Sequence, residues 1–313
     1  MKLIELILDF LNGQMNTPVP YQSLSQSWFH YLALSIVVLA SVVAVRWLKN
    51  ADESRLRRFL LVFACLLLIF EVYKQLIFSF QAGWNYQWYI FPFQFCSTPM
   101  YIALIAGLTK NKKIRQTFIN FLATYGFFAG LAAMVYPNDV FVATIGINIQ
   151  TMVHHGAMMV LGIALLLNKV KLVLASIVSA TAVFSVLAVL AILLNFIHNT
   201  WIGEGTFNMF FINPQYNNHL PVLTSIEPLV PHFVFVLIYI VGFAFVAYLM
   251  LILGAGIKAA ASYRKSIHQK HWNNMVTEYD SNFDSSVYRR WKNSVIIGSA
   301  TDLYMRTVFP PVN

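Results

Sequence analysis

The sequence predicts an all-α fold, a polytopic membrane helix bundle of about seven transmembrane helices. Three observations carry this. Hydrophobic residues make up 58% of the 313 positions and charged residues only 11%, where a soluble domain carries about 25% charged. Several apolar runs exceed about 18 residues, the length that crosses a bilayer. The basic residues behind the net charge of +9 fall in short clusters after the first, third, fifth and seventh runs, and the alternate connections have none. That alternation follows the positive-inside rule, with the N-terminus outside and the C-terminus cytoplasmic in a multi-pass protein of the cell membrane. The same clustering, with no DNA- or RNA-binding motif, excludes nucleic acid as the reason for the charge. The short alternating segments of a transmembrane β-barrel are absent.

The elements follow in order. Residues 1–27 read as an extracytoplasmic segment. In it Leu3, Ile4, Ile7, Leu8 and Leu11 share one helical face, as an interfacial helix requires. This run is too short and too acidic for a cleavable signal peptide. Residues 28–257 form the transmembrane domain. Its spans fall at about Phe29–Leu48, Phe59–Phe80, Pro92–Leu108, Phe118–Val135, Ala143–Leu167, Val173–Ile197 and Leu229–Leu253. Trp84, Tyr86 and Trp88 between the second and third spans form an aromatic belt. Residues 258–313 read as a cytoplasmic tail. No internal repeat is visible.

The third span is the unusual one. Pro92 suits a first helical turn, whereas Pro99 frees the Phe95 carbonyl and loosens the helix around Cys96. Gln94, Cys96, Ser97 and Thr98 therefore crowd at a distorted helix start, which fits a protein interior or a water-lined cavity better than lipid. Other spans bring polar groups to a similar depth, where they need a partner or a cavity. Glu71 and Lys74, three apart on the second span, share a face and can pair. That pair is either a structural tie or the lining of a site. Counting about 1.5 Å per residue, Cys96 lies roughly 12 Å and His154 and His155 roughly 18 Å below the outer surface, with Lys74 about 10 Å from its own outer end. Asn208 and Asn213 in the long connection after the sixth span, with Asn195 and His198, are placed to close this region from outside.

A thiol becomes a nucleophile when a base or a nearby cation favours its thiolate. His155 and Lys74 are of the right types for Cys96, although spacing alone does not bring them together. Cys96 also fits a small buried hydrophobe, and the histidine pair also fits hydrogen-bonded packing or a proton path. Adjacent histidines point about 100° apart on a helix and make poor joint metal ligands, so no metal and no cofactor is expected. Cys65 and Cys96 both sit in apolar runs, which argues against a disulfide or a cysteine zinc site.

Pro92-Phe93-Gln94-Phe95-Cys96-Ser97 resembles the "proline, apolar, polar, leucine, cysteine, serine" signature of the YwaF-like integral membrane proteins. Thr109-Lys110-Asn111-Lys112-Lys113, Tyr136-Pro137, His155-Gly156 and Asn208-Met209-Phe210-Phe211 follow that family's order, and Glu71 stands where its members carry an acid. The resemblance covers about residues 25–255, with Phe95 in place of the usual leucine and no counterpart for the tail. The family is similar to a vertebrate membrane acyltransferase that remodels ether phospholipids through a cysteine and a histidine. More distantly it is similar to the androgen-induced-protein hydrolases of fatty-acid esters, which use a threonine and a histidine in a His-Gly context. The resemblance implies Cys96 as nucleophile and His155 as base, with His154 the less favoured base.

The expected function is therefore a membrane-embedded, cysteine-dependent acyltransferase or hydrolase that acts on a membrane phospholipid or other acyl lipid through a thioester. Lys74, Glu71 and His154 would support it, Gln94, Ser97 or a backbone N–H would hold the oxyanion, and Asn208 would close the site. The rival is a non-enzymatic carrier or receptor with a polar intramembrane site, serving proton-coupled transport or lipid binding.

Overall fold

The computed structural model describes residues 2–138, 140–217 and 220–282. Among them the helices are α1 (Lys2–Leu11), α2 (Trp28–Leu48), α3 (Glu53–Gln81), α4 (Thr98–Leu108), α5 (Lys112–Phe121), α6 (Phe127–Val135), α7 (Ile145–Asn168), α8 (Leu174–Ile197), α9 (Leu223–Ile226) and α10 (His232–Asn282). Six helical stretches among the described residues are long and apolar enough to cross a membrane: Trp28–Leu48, Glu53–Gln81, Lys112–Val135, Ile145–Asn168, Leu174–Ile202 and His232–Trp272. The expectation of a polytopic helical bundle holds. The chain divides into a unit of residues 1–255 and a second unit from 256 onward, whose described part is helical to Asn282. The remainder of the expected cytoplasmic tail, 283–313, lies outside the described residues.

The third expected span needs correction. Pro92–Leu108 is not one helix. A 3₁₀ turn, Trp88–Ile90, leads into an irregular segment, and α4 begins only at Thr98. Its 11 residues reach about 16 Å, too short to cross a bilayer. The physical reason is Pro99. It occupies the first turn of α4, where its missing N–H costs nothing, and does not kink a longer helix. The Phe95 carbonyl is met instead by the Thr98 hydroxyl at 2.9 Å. Cys96 therefore sits on a turn before a helix, not eight residues down one, and the depth counted along a helix does not apply to it.

The fourth span carries a second irregularity. Residues Leu122–Gly126 form one π turn that joins α5 to α6. Thr124 bonds back to the Asn120 carbonyl at 2.7 Å, and the Asn120 amide donates to Ser179 on α8 at 2.8 Å. A side chain competing for the ladder in this way is a recognised cause of helix irregularity.

α7 is the central helix of the first unit. Of its apolar window 78% is buried, against 17% for α2, and α2, α3, α6 and the π turn all pack on it. Glycines allow the approach. A Cβ at Gly130 of α6 would lie 2.6 Å from the His155 carbonyl oxygen, and one at Gly162 of α7 would lie 2.4 Å from the Phe127 Cβ. Small residues that let backbones touch are the usual device where lipid removes the hydrophobic drive between helices.

The two ends of the bundle differ. At the basic end Arg57 donates to the carbonyls of Gly107 and Leu108 at the end of α4, Arg115 pairs with Glu53, and Lys169 donates to the Ala51 carbonyl. Asp52 caps α3 and Asn111 caps α5. At the opposite end α1 lies with Leu8 packed on Ile77 and Ile147, and the Tyr73 hydroxyl donates to the Leu11 carbonyl. Leu3 and Ile7, expected on the apolar face with Leu8, are exposed, as are Leu6 and Phe10.

Candidate functional site

The turn Gln94-Phe95-Cys96-Ser97 is set by hydrogen bonds that its own residues make. The Gln94 carbonyl accepts from the N–H groups of Ser97 at 2.8 Å and Thr98 at 3.2 Å. The Tyr101 hydroxyl donates to the Pro92 carbonyl at 2.9 Å. The Gln94 side chain faces the other way, onto the loop at residues 207–213. Its amide nitrogen donates to the Asn208 carbonyl at 2.9 Å and its oxygen accepts from the Phe210 N–H at 3.1 Å.

That loop is held over the turn by asparagines. Asn195, at the end of α8, pairs both ways with the Met209 backbone at 2.9 and 3.1 Å. Asn208 accepts from the Asn213 N–H, and Asn213 exchanges two bonds with Asn199. Phe210 and Phe211 sit at φ 59 and 57, a left-handed conformation that side chains seldom adopt. Such a conformation persists where the surroundings over-determine it. Phe210 is fully buried and its ring meets Phe93, Phe95 and Phe184. The motif Asn208-Met209-Phe210-Phe211 is thus a strained plug whose backbone polar groups are met by Gln94 and Asn195.

α7 supplies the other wall. His154 and His155 are buried, with ring centroids 5.6 Å apart. The Nε2 of His154 lies 3.1 Å from the Cys96 carbonyl oxygen. Since the carbonyl can only accept, Nε2 carries the proton and Nδ1 the lone pair. That Nδ1 is sealed and without a hydrogen-bond partner. His155 has the reverse arrangement. Its Nδ1 donates to the Thr151 carbonyl one turn earlier, at 2.9 Å, which leaves the lone pair on Nε2. The structure therefore joins the Cys96 turn directly to His154, the histidine less favoured from sequence. The neighbouring ring is His155, with its tautomer fixed by its own helix.

Glu71 and Lys74 form an ion pair at 2.9 Å, and the Gln75 amide donates to the same Glu71 oxygen at 2.7 Å and to the Ile90 carbonyl at 2.7 Å. The second Glu71 oxygen is buried without a partner. Tyr86 extends the network by donating to Gln75 at 3.1 Å. Burial, and then the Glu71 carboxylate, push the Tyr86 phenol above its ordinary value, so it stays a donor. The Cys96 side chain is half-buried on the adjoining turn.

Cys96 and Ser97 are therefore joined to His154 and His155 through the Cys96 carbonyl. The Glu71–Lys74 pair reaches the same irregular segment through Gln75 and the Ile90 carbonyl, at the end of the bundle away from the basic clusters. Gln94 and Asn208 belong to this region as scaffold, with Gln94 committed to the loop backbone. Gln75, Tyr86 and Tyr101 were not foreseen. Gln75 carries a signal in hindsight, because it follows Glu71 by one turn and an amide there can bond the carboxylate.

A family model described as the TMEM164 family matches residues 23–259. That range agrees with the 25–255 covered by the motifs; the match names the TMEM164 family and does not bear on the YwaF-like resemblance. No curated protein and no solved structure matches the chain.

Proposed function

The chain belongs to the TMEM164 family, and from that premise we propose that its intramembrane cysteine and histidines carry out acyl transfer on a lipid ester. The observation that carries the reading is the 3.1 Å contact between His154 and the Cys96 carbonyl, which ties α7 and its histidine pair to the cysteine turn.

In this reading the Cys96 proton passes to Nε2 of His155, the nitrogen with the lone pair, directly or through one water. The Lys74 ammonium favours the thiolate. The thiolate adds to the ester carbonyl carbon, and the oxyanion is met by the Ser97 hydroxyl, the Cys96 N–H or Lys74, since the Gln94 amide is occupied by Asn208. Collapse breaks the C–O bond. The alkoxide of the lysolipid leaves with the proton from His155, and Cys96 holds the acyl group as a thioester. Water or a lysolipid hydroxyl then gives its proton to His155 and attacks the thioester, and the thiol is re-formed. His154 positions the turn and takes no proton in this scheme. The half-buried state of Cys96 suits its attack on a lipid ester that enters from the bilayer, and the aromatic side chains around the turn suit an acyl chain.

The test is chemical trapping. Protein in vesicles is mixed briefly with phospholipid labelled in its acyl chain, quenched in acid and separated from lipid. The proposal expects label on the protein, on the peptide containing Cys96, removed by neutral hydroxylamine as a thioester is. Label that resists hydroxylamine, or that persists in Cys96→Ala, would overturn it.

A further inference from the structure

The basic end carries a groove of its own. α2 and α3 are consecutive, yet their backbones approach closely at few points, and each packs on α7. Between them is a groove of 680 Å³, lined on α2 by Ala40, Val43, Ala44 and Trp47, on α3 by Phe59, Val62 and Phe63, with Val160 of α7 at its floor. The lining positions recur at helical spacing on both helices, so the groove follows two facing stripes. Its volume falls within the range of sites that enclose a small amphiphile.

One end of the groove is closed by charge. Arg55 and Arg58 complete its lining. Both are exposed, and neither guanidinium enters an ion pair or a hydrogen bond among the described residues. The neighbouring acids are engaged elsewhere. The Asp52 carboxylate accepts from the Arg55 backbone N–H, and Glu53 pairs with Arg115. Trp47, stacked on Phe59 with centroids 5.5 Å apart, marks the level of the bilayer interface.

We propose that this groove binds one anionic phospholipid, with its phosphate, uncompensated by any headgroup cation, on Arg55 and Arg58 and an acyl chain between α2 and α3. Two guanidinium forks match phosphate geometry, and an all-apolar trough below them matches a chain. The site is distinct from the cysteine site. Sixteen residues of α3 separate Arg55 from Glu71, about 24 Å along the helix. It stands independently of the acyl-transfer reading.

Native mass spectrometry in a neutral detergent tests this with dioleoyl phosphatidylglycerol against dioleoyl phosphatidylcholine. One phosphatidylglycerol should stay bound where phosphatidylcholine does not. Arg55→Gln with Arg58→Gln should weaken its retention about twentyfold to thirtyfold, from the usual contribution of two basic residues near an anionic membrane. Val43→Trp, at an exposed lining position that should not disturb folding, should also reduce retention by filling the trough. Glycerol 3-phosphate at the same concentration should not bind. Equal retention of both lipids, unchanged retention in the double variant or in Val43→Trp, binding of glycerol 3-phosphate alone, or a dimer whose formation depends on Val43 would each overturn the proposal.

Discussion

Replacing Gln94 by Met separates scaffold from chemistry at the cysteine turn. Met has nearly the same volume and no amide, so packing changes little and two hydrogen bonds are lost. The Phe210 N–H is left without a partner, and the Asn208 carbonyl keeps only the longer bond from the Phe211 N–H at 3.3 Å. Both residues are buried, Phe210 fully. The stranded N–H costs about 1–3 kcal/mol and the second lost bond about 0.5–1.5 kcal/mol, so the change should destabilise by about 2–4 kcal/mol. Phe210 also loses a contact that holds its left-handed backbone, which argues for the upper part of that range. The assay is thermal unfolding of detergent-solubilised protein followed by tryptophan fluorescence, where a fall in Tm on the order of 5–10 °C is expected. Turnover measured well below the new Tm should fall less steeply than in Cys96→Ala. An unchanged Tm together with a loss of turnover as large as that of Cys96→Ala would refute the reasoning and return Gln94 to the reacting atoms.

Other expectations follow from the same geometry. Gly130→Ala puts a Cβ 2.6 Å from the His155 carbonyl oxygen and 2.7 Å from the Met159 nitrogen, both backbone atoms that cannot step aside; overpacking of this kind costs about 1–3 kcal/mol, and Tm and turnover should fall together. Glu71→Gln keeps the shape but leaves Lys74 without its carboxylate; because Lys74 is mostly buried, a loss of about 1–3 kcal/mol is expected, and an unchanged Tm would show that the pair contributes nothing. His154→Ala should raise the mobility of the Cys96 turn, read as faster alkylation of Cys96 in the Cys65→Ser background, and alkylation as slow as in the parent would contradict the positioning role.

The helical bundle was legible because its causes are local. Apolar runs of bilayer length and Lys/Arg at run ends are written residue by residue, and α2, α7 and α8 begin and end within a few residues of their expected places. The third span was misread because Pro92–Leu108 is apolar throughout, and composition cannot say where a helix starts inside an apolar run. Pro92 and Pro99 each suit a first turn, and the choice falls to contacts made by the turn, through Thr98 and Tyr101. The site was partly legible. The unusual proline-flanked turn and the polar residues of α7 pointed to one region. The partners did not, since Gln94 bonds the backbone of residues 208 and 210, and sequence carries no record of which carbonyl a distant side chain will meet. The same limit explains the histidines, because the bond from His154 to Cys96 runs through a backbone oxygen that any residue at position 96 would supply.

The proposed mechanism makes Cys96 a nucleophile served by His155. It is tested most directly by acyl release or transfer from labelled phospholipid in reconstituted protein, across Cys96→Ala, Cys96→Ser, His155→Ala, His154→Ala and the Cys96→Ala/His155→Ala pair. Cys96→Ala should abolish turnover in a folded protein and Cys96→Ser should come close to it, since a hydroxyl is far less acidic than a thiol. His155→Ala should match Cys96→Ala, the double variant should be hardly worse than either, because groups that act as one unit are not additive, and His154→Ala should be milder. Full activity in folded Cys96→Ala would contradict the account and leave a carrier or receptor as the better reading.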